Sequence, residues 1–183
     1  PYHDVTGEMV FLKTKPMNHD GNPATQKDLK PILFGWNVMP ADAREVWLVE
    51  GEWDAIACSE LGYPALSVPF GGGKGAKQTK WIENEYDNLA RFERILIATD
   101  MDEQGELAAA EIISRLGDRC VRINLPNKDI NEMLHGGKQS YADARAILAM
   151  AYEEAVWKDP TTLRSVMEFE DDLDQFFSAD EDT

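Results

Sequence analysis

At 183 residues, 43% of them hydrophobic, the chain has room for one domain with a small appendage and enough apolar mass for a core. No apolar run approaches the length of about 18 residues that a membrane-spanning helix needs, and Cys58 and Cys120 stand too far apart for a CxxC or zinc pattern. A net charge of −16 argues against a generic nucleic-acid binder.

That charge is uneven. Residues 168–183, "EFEDDLDQFFSADEDT", hold eight acids and no base, so the remainder carries −16 + 8 = −8. Basic clusters survive at Lys13 and Lys15, at Lys27 and Lys30, and at Lys74, Lys77 and Lys80. An acidic protein still meets nucleic acid through such patches when metal ions screen its carboxylates. The chain opens at Pro1 in what reads as mid-protein sequence, without a secretory pattern, so a fragment of a longer cytoplasmic protein is expected.

In chain order, residues 1–40 predict a small β-rich unit. Gly7 lies between two extended stretches of "VTGEMVFLKTK", a hairpin signal, and "NHDGNP" is a second turn. "PILFGWNVMP" predicts a short strand or loop packed on the core. From residue 45 the rhythm changes. "EVWLVE" is a strand apolar on both faces, as buried parallel strands are. "EWDAIACSEL" predicts a helix closed by Gly62, and "ALSVPF" a second strand. Residues 76–91 predict a helix with Ile82, Tyr86 and Leu89 on one face. "RILIAT" is a third strand, followed by a helix over 104–116 with Ala108, Ile112 and Leu116 in a stripe and Gly117 as its cap. "CVRINLP" is a fourth strand, "DINEML" a short helix, and 140–157 a last helix ended before Pro160. Alternating strands and helices predict parallel strands joined by crossovers. Ligands of such sheets collect beyond the strands' carboxyl ends.

Acids fall at those ends. Glu50 closes the first strand ahead of Gly51, which permits a tight turn; Glu52 and Asp54 then read as acids favoured by a helix dipole. "ATDMDEQG" sets Asp100 and Asp102 on one side of an extended segment. Two hard oxygen ligands suit Mg²⁺, while a helix N-cap accounts equally for Asp102. In "PNKDINEML", Asp129 is a metal ligand or a cap, and Lys128 precedes it. "PFGGGKGAKQTK" fails the G-x-x-x-x-G-K-[ST] phosphate-loop spacing, leaving Lys74 a contact for nucleotide or nucleic-acid backbone, or part of a plain loop. Lys13 and Lys15 alternate on a strand, by default a solvated face.

"VEGEWDA", "ATDMDEQG" and "LPNKDINEML", in that order and spacing, resemble a TOPRIM domain. The likeness extends over about residues 5–150, to "SVPFGGG" and "FLKTK", and is to the primase part of phage-type primase-helicases. The resemblance implies an α/β, Rossmann-like, mostly parallel sheet flanked by helices over 41–158, a small β-rich N-terminal subdomain over 1–40, and an acidic linker or tail over 159–183. It implies that Glu50, Asp100 and Asp102 are the catalytic, metal-binding acids, with Asp129 beside them. Mg²⁺ or Mn²⁺ is then the cofactor, and Lys13, Lys15 and Lys128 face nucleotide or DNA, with Lys74 of the glycine-rich loop a further candidate contact. The implied function is template-directed primer synthesis on single-stranded DNA from nucleoside triphosphates, beside a RecA-like replicative helicase in cis or in trans. The alternatives are a metal-dependent nuclease built on the same acids, and an inactive docking or single-strand-binding module beside a helicase. No zinc-binding module and no helicase motif lie within these residues.

Overall fold

The computed structural model describes residues 1–14, 24–25, 29–71, 76–137 and 139–157. At its centre is a four-stranded, all-parallel sheet in the order β6-β5-β7-β8, formed by β5 (Glu45–Val49), β6 (Ala65–Ser67), β7 (Arg94–Ala98) and β8 (Cys120–Arg122). Side chains alternate across a strand, and both faces are covered, which is why these strands read as nearly unbroken apolar runs. Trp47, Val49, Leu96 and Ala98 enter one core; Val46, Leu48, Ile95 and Ile97 enter the other.

The first core is roofed by α1 (Glu52–Glu60), α4 (Ile130–His135) and α5 (Tyr141–Trp157), through Ala57, Cys58, Met133, Ala144 and Leu148. The second is roofed by α2 (Ala76–Leu89) and α3 (Glu103–Leu116), through Trp81, Ile82, Leu89, Ala109 and Ile112. Each fully buried large aliphatic side chain contributes about 1.5–3 kcal/mol. The predicted face of α2 needs one correction. Tyr86 is half exposed, and the inward positions are Trp81, Ile82, Glu85 and Leu89.

The first 40 residues pair as β1 (Tyr2–His3) with β2 (Met9–Phe11), turned at Gly7, and as β3 (Lys13–Thr14) with β4 (Ala24–Thr25), both antiparallel. Tyr2, Phe11 and Ile32 make a third, small core. The predicted "NHDGNP" turn lies outside the described residues. "PILFGWNVMP" is a loop that docks by an antiparallel bridge, Phe34 to Ser67, with reciprocal N–H···O bonds of 3.0 Å, before a 3₁₀ turn at Trp36–Val38. Gly35 there has φ +110°, and a Cβ on it would stand 2.8 Å from the Ala65 carbonyl oxygen, so only glycine fits. Glu85, 1% exposed, fastens this loop to α2 by accepting from Leu33 N at 3.1 Å and Trp36 Nε1 at 3.2 Å. Among the described residues no helix is long and apolar enough to cross a membrane. The acidic segment 159–183 lies outside the described residues.

Candidate active site at the carboxyl edge of the sheet

β5 and β7 are hydrogen-bonded neighbours in register, Val49 beside Ala98. Glu50, one residue past β5, and Asp100, two past β7, therefore leave the same edge of the sheet on adjacent strands. The opposite rim, which would have separated them, is excluded. Glu50 is half-buried, and Gly71, in the loop after β6, lies so near that a Cβ on it would come within 3.7 Å of Glu50 Oε1.

Asp54 is the acid that sequence reasoning passed over. It sits in the first turn of α1, yet it is only 8% exposed, and its Oδ1 accepts from Asn131 N at 3.0 Å, joining α1 to α4. Burial, with the charges of Asp129 and Asp100 adding to it against the Asn131 hydrogen bond, pushes its carboxyl up to about 7. Gly51 makes the room. Its φ of −116° is ordinary extended backbone, so it is not there for an unusual turn; a Cβ on it would stand 2.7 Å from Asp54 Oδ2. A glycine between two acids in "EGEWD" is the signal that could have found Asp54.

The Asp100-Met101-Asp102 segment is held from three sides. Asp102 is the N-cap of α3, its Oδ1 accepting from Gly105 N at 2.9 Å, so the capping reading is correct for this residue. Thr99 Oγ1 donates to Gly105 O at 2.8 Å, and a Cβ on Gly105 would fall 2.0 Å from the Asp100 carbonyl oxygen. Met101 N donates to Lys128 O at 2.7 Å, tying the segment to the loop after β8. Arg122, at the end of β8, braces it from below: Nη1 donates to Ile97 O at 2.9 Å and to Thr99 O at 3.3 Å, and Nη2 reaches Met101 Sδ and Glu106. Sequence reasoning did not single out Arg122 or Gly105.

Asp100 is raised above the ordinary carboxylate range by burial, against the Lys128 ammonium and with the help of Asp129 and Asp102. Lys128 Nζ lies 3.0 Å from Asp100 Oδ2, and that contact holds its own pKa up. Asp129 caps α4, accepting from Glu132 N at 2.6 Å, while Glu132 Oε2 accepts from Lys128 N at 3.1 Å. Asp54, Asp100, Asp102, Asp129 and Lys128 are thus brought together.

Lys13 is not on a solvated face. Its side chain is 13% exposed; Nζ pairs with Glu52 and donates to Pro69 O at 2.9 Å. Tyr2 Oη donates to the same Glu52 at 2.6 Å. Burial works to raise the Glu52 carboxyl, but these partners outweigh it and hold it low. Lys13 therefore borders the site at the start of α1 with its charge already compensated. Lys15 and Lys74 lie outside the described residues.

The carboxylates at this edge are hard oxygen donors with a buried member at its centre, which fits a divalent cation such as Mg²⁺ or Mn²⁺ better than a soft metal. Among the described residues, however, no three acids, histidines or thiols already surround one point as a ready cation site. Asp102 and Asp129 are engaged as caps, and Asp100 is engaged by Lys128.

Comparison with known proteins gives a consistent picture. Residues 47–134 match the Toprim-like family model. The chain is 32% identical over 139 residues to the primase homolog protein of Arabidopsis thaliana, covering 69% of this chain and 40% of that protein. It is 30% identical over 160 residues to the DNA helicase/primase of Enterobacteria phage T3, covering 85% of this chain and 26% of that protein. It thus spans well under half the length of these curated relatives. Among solved structures it is similar to the primase fragment of the bacteriophage T7 primase-helicase, with a TM-score of 0.62 at 28% identity, covering 79% of this chain and 60% of that one. The RNA polymerase domain of Mycobacterium tuberculosis primase DnaG shares the fold, with a TM-score of 0.61 at 18% identity, covering 85% of this chain and 56% of that one.

Proposed function

Because the chain carries a Toprim-like domain related to those of phage-type primases and primase-helicases, we propose that it is the nucleotide-joining part of a DNA primase, making short RNA primers on single-stranded DNA. The observation that carries this reading is the register of β5 and β7, which brings Glu50 to the edge where Asp54, Asp100, Asp102 and Asp129 gather. In the reaction, a 3′-oxygen attacks the α-phosphorus of an incoming triphosphate, pyrophosphate leaves, and the hydroxyl proton is lost. Glu50, Asp100, Asp102 and Asp129 would hold Mg²⁺ or Mn²⁺. Such an ion supplies charge stabilisation to the attacking and leaving oxygens.

The chain's own residues do the rest. Lys128 supplies positive charge at the rim for phosphates, Lys15 and Lys74 would add to it, and Lys13, already paired with Glu52, borders the site. Asp54 pins α4 to α1 and so fixes where Lys128 and Asp129 stand. Arg122 and Gly105 fix the turn that carries Asp100 and Asp102. The substrates are a single-stranded DNA template and nucleoside triphosphates, and the partner is a RecA-like replicative helicase in cis or in trans. A solved complex of the bacteriophage T7 lagging-strand DNA polymerase with two primase domains bound to an RNA/DNA hybrid and dTTP supports this choice of substrates; this chain is 28% identical to its matched chain, with a TM-score of 0.66.

The test is primer synthesis from labelled ribonucleotides on single-stranded DNA with Mg²⁺ or Mn²⁺. The wild-type chain is expected to make short RNA, and Asp100→Asn to make none while staying folded. Synthesis that persists in Asp100→Asn overturns the assignment. Cleavage of the DNA without added nucleotides makes the chain a nuclease instead.

A further inference from the structure

The geometry points to a second role for Lys128, resting on the proposed function above: we propose that its ammonium is an internal stand-in for the divalent cation. It neutralises Asp100 in the metal-free protein, leaves when the ion enters, and is then free to meet the triphosphate.

Three observations carry this. The contact joins unequal partners: Asp100 is 15% exposed and held by its turn, whereas the Lys128 side chain is 56% exposed and extends from a loop. The hydrogen bond from Met101 N to Lys128 O, at 2.7 Å, fixes the lysine backbone beside the acids, so the side chain swings without the loop moving. The third is the arrangement of the acids. Asp102 Oδ1 accepts from Gly105 N, Asp129 Oδ1 accepts from Glu132 N, and among the described residues no three ligating groups are gathered round one point. The edge is organised round a monovalent ammonium. Like charges this close need a counter-charge, and a tethered lysine provides one for as long as the metal is absent.

With its lysine end in solvent, the ion pair is worth about a factor of two to five in an equilibrium, so the lysine is a weak competitor, displaced at ordinary cation concentrations. Removing it should tighten metal binding by that factor. The test is titration with Mn²⁺ in the absence of nucleotide, on wild type, Lys128→Gln and Lys80→Gln, the last a matched charge change on α2 across the sheet. Lys128→Gln is expected to bind Mn²⁺ about two- to fivefold more tightly, and Lys80→Gln to match the wild type. A parallel NMR titration with Mg²⁺ should shift the side-chain Nζ resonance of Lys128 in the wild type, at the concentration where the ion binds. Unchanged or weaker Mn²⁺ binding by Lys128→Gln, or a Lys128 signal that ignores Mg²⁺, overturns the exchange while leaving the primase reading intact. Failure of every variant, wild type included, to bind Mn²⁺ overturns both.

Discussion

Replacing Asp54 by asparagine should stabilise the protein at neutral pH, against the usual cost of altering a buried polar group. Asn keeps an oxygen to accept from Asn131 N, as Asp54 Oδ1 does at 3.0 Å, and it removes the charge. Burial and the facing acids raise the Asp54 carboxyl from its ordinary 3.8 to about 7. Between those values the native state holds a proton that the unfolded chain has lost, so stability falls as pH rises through the window and levels off above it. A gap of about three pH units corresponds to about 4 kcal/mol. Asp129 and Asp100 carry part of the same repulsion, so about half, or 2 kcal/mol, is assigned to Asp54. Urea unfolding from pH 4 to pH 8 in the presence of a chelator measures it. Wild type and Asp54→Asn should agree near pH 4 and diverge with rising pH, the variant ending about 2 kcal/mol more stable by pH 8. Parallel curves, or a variant less stable than wild type at pH 8, would show that Asp54 is an ordinary paired carboxylate and refute the crowded-acid reasoning.

Gly105→Ala sets two effects of opposite sign against each other. Helix propensity alone favours alanine by about 1 kcal/mol. The added Cβ would lie 2.0 Å from the Asp100 carbonyl oxygen, a backbone atom that cannot step aside. Overpacking therefore wins, with a net loss of about 1–2 kcal/mol in urea unfolding; equal or greater stability would contradict the close packing of α3 on the site turn. Arg122→Gln strips donors from the carbonyls of Ile97 and Thr99 and should cost about 1.5–3 kcal/mol. A change within about 0.5 kcal/mol in the same assay would remove Arg122 from the account.

The alternation of strand and helix, and the emergence of acids where strands end, were legible because buried parallel strands have few sequence alternatives. Glu50 stood out for the same reason: an acid straight after "VWLV" has no local explanation. Asp54 was hidden by having one. A carboxylate in the first turn of a helix satisfies the helix dipole, and only the fold reveals that its partner is Asn131, 77 residues away. Asp102 and Asp129 cap helices, as their local context suggests, and their charges also act on Asp100. The spacing of Tyr86 from Ile82 and Leu89 predicts an inward side chain, but the buried position belongs to Glu85, whose carboxylate is satisfied by tertiary donors that no pattern reveals. Lys13 was hidden likewise: its partner Glu52 comes from another element.

On the function proposed above, carboxylates from the ends of two adjacent strands share one divalent cation. Anomalous diffraction from crystals soaked in Mn²⁺ tests it with the least inference. A single strong peak bordered by the side chains of Glu50, Asp100 and Asp102 is the predicted result. Mn²⁺ bound elsewhere on the surface, with this edge vacant at saturating concentration, would contradict it.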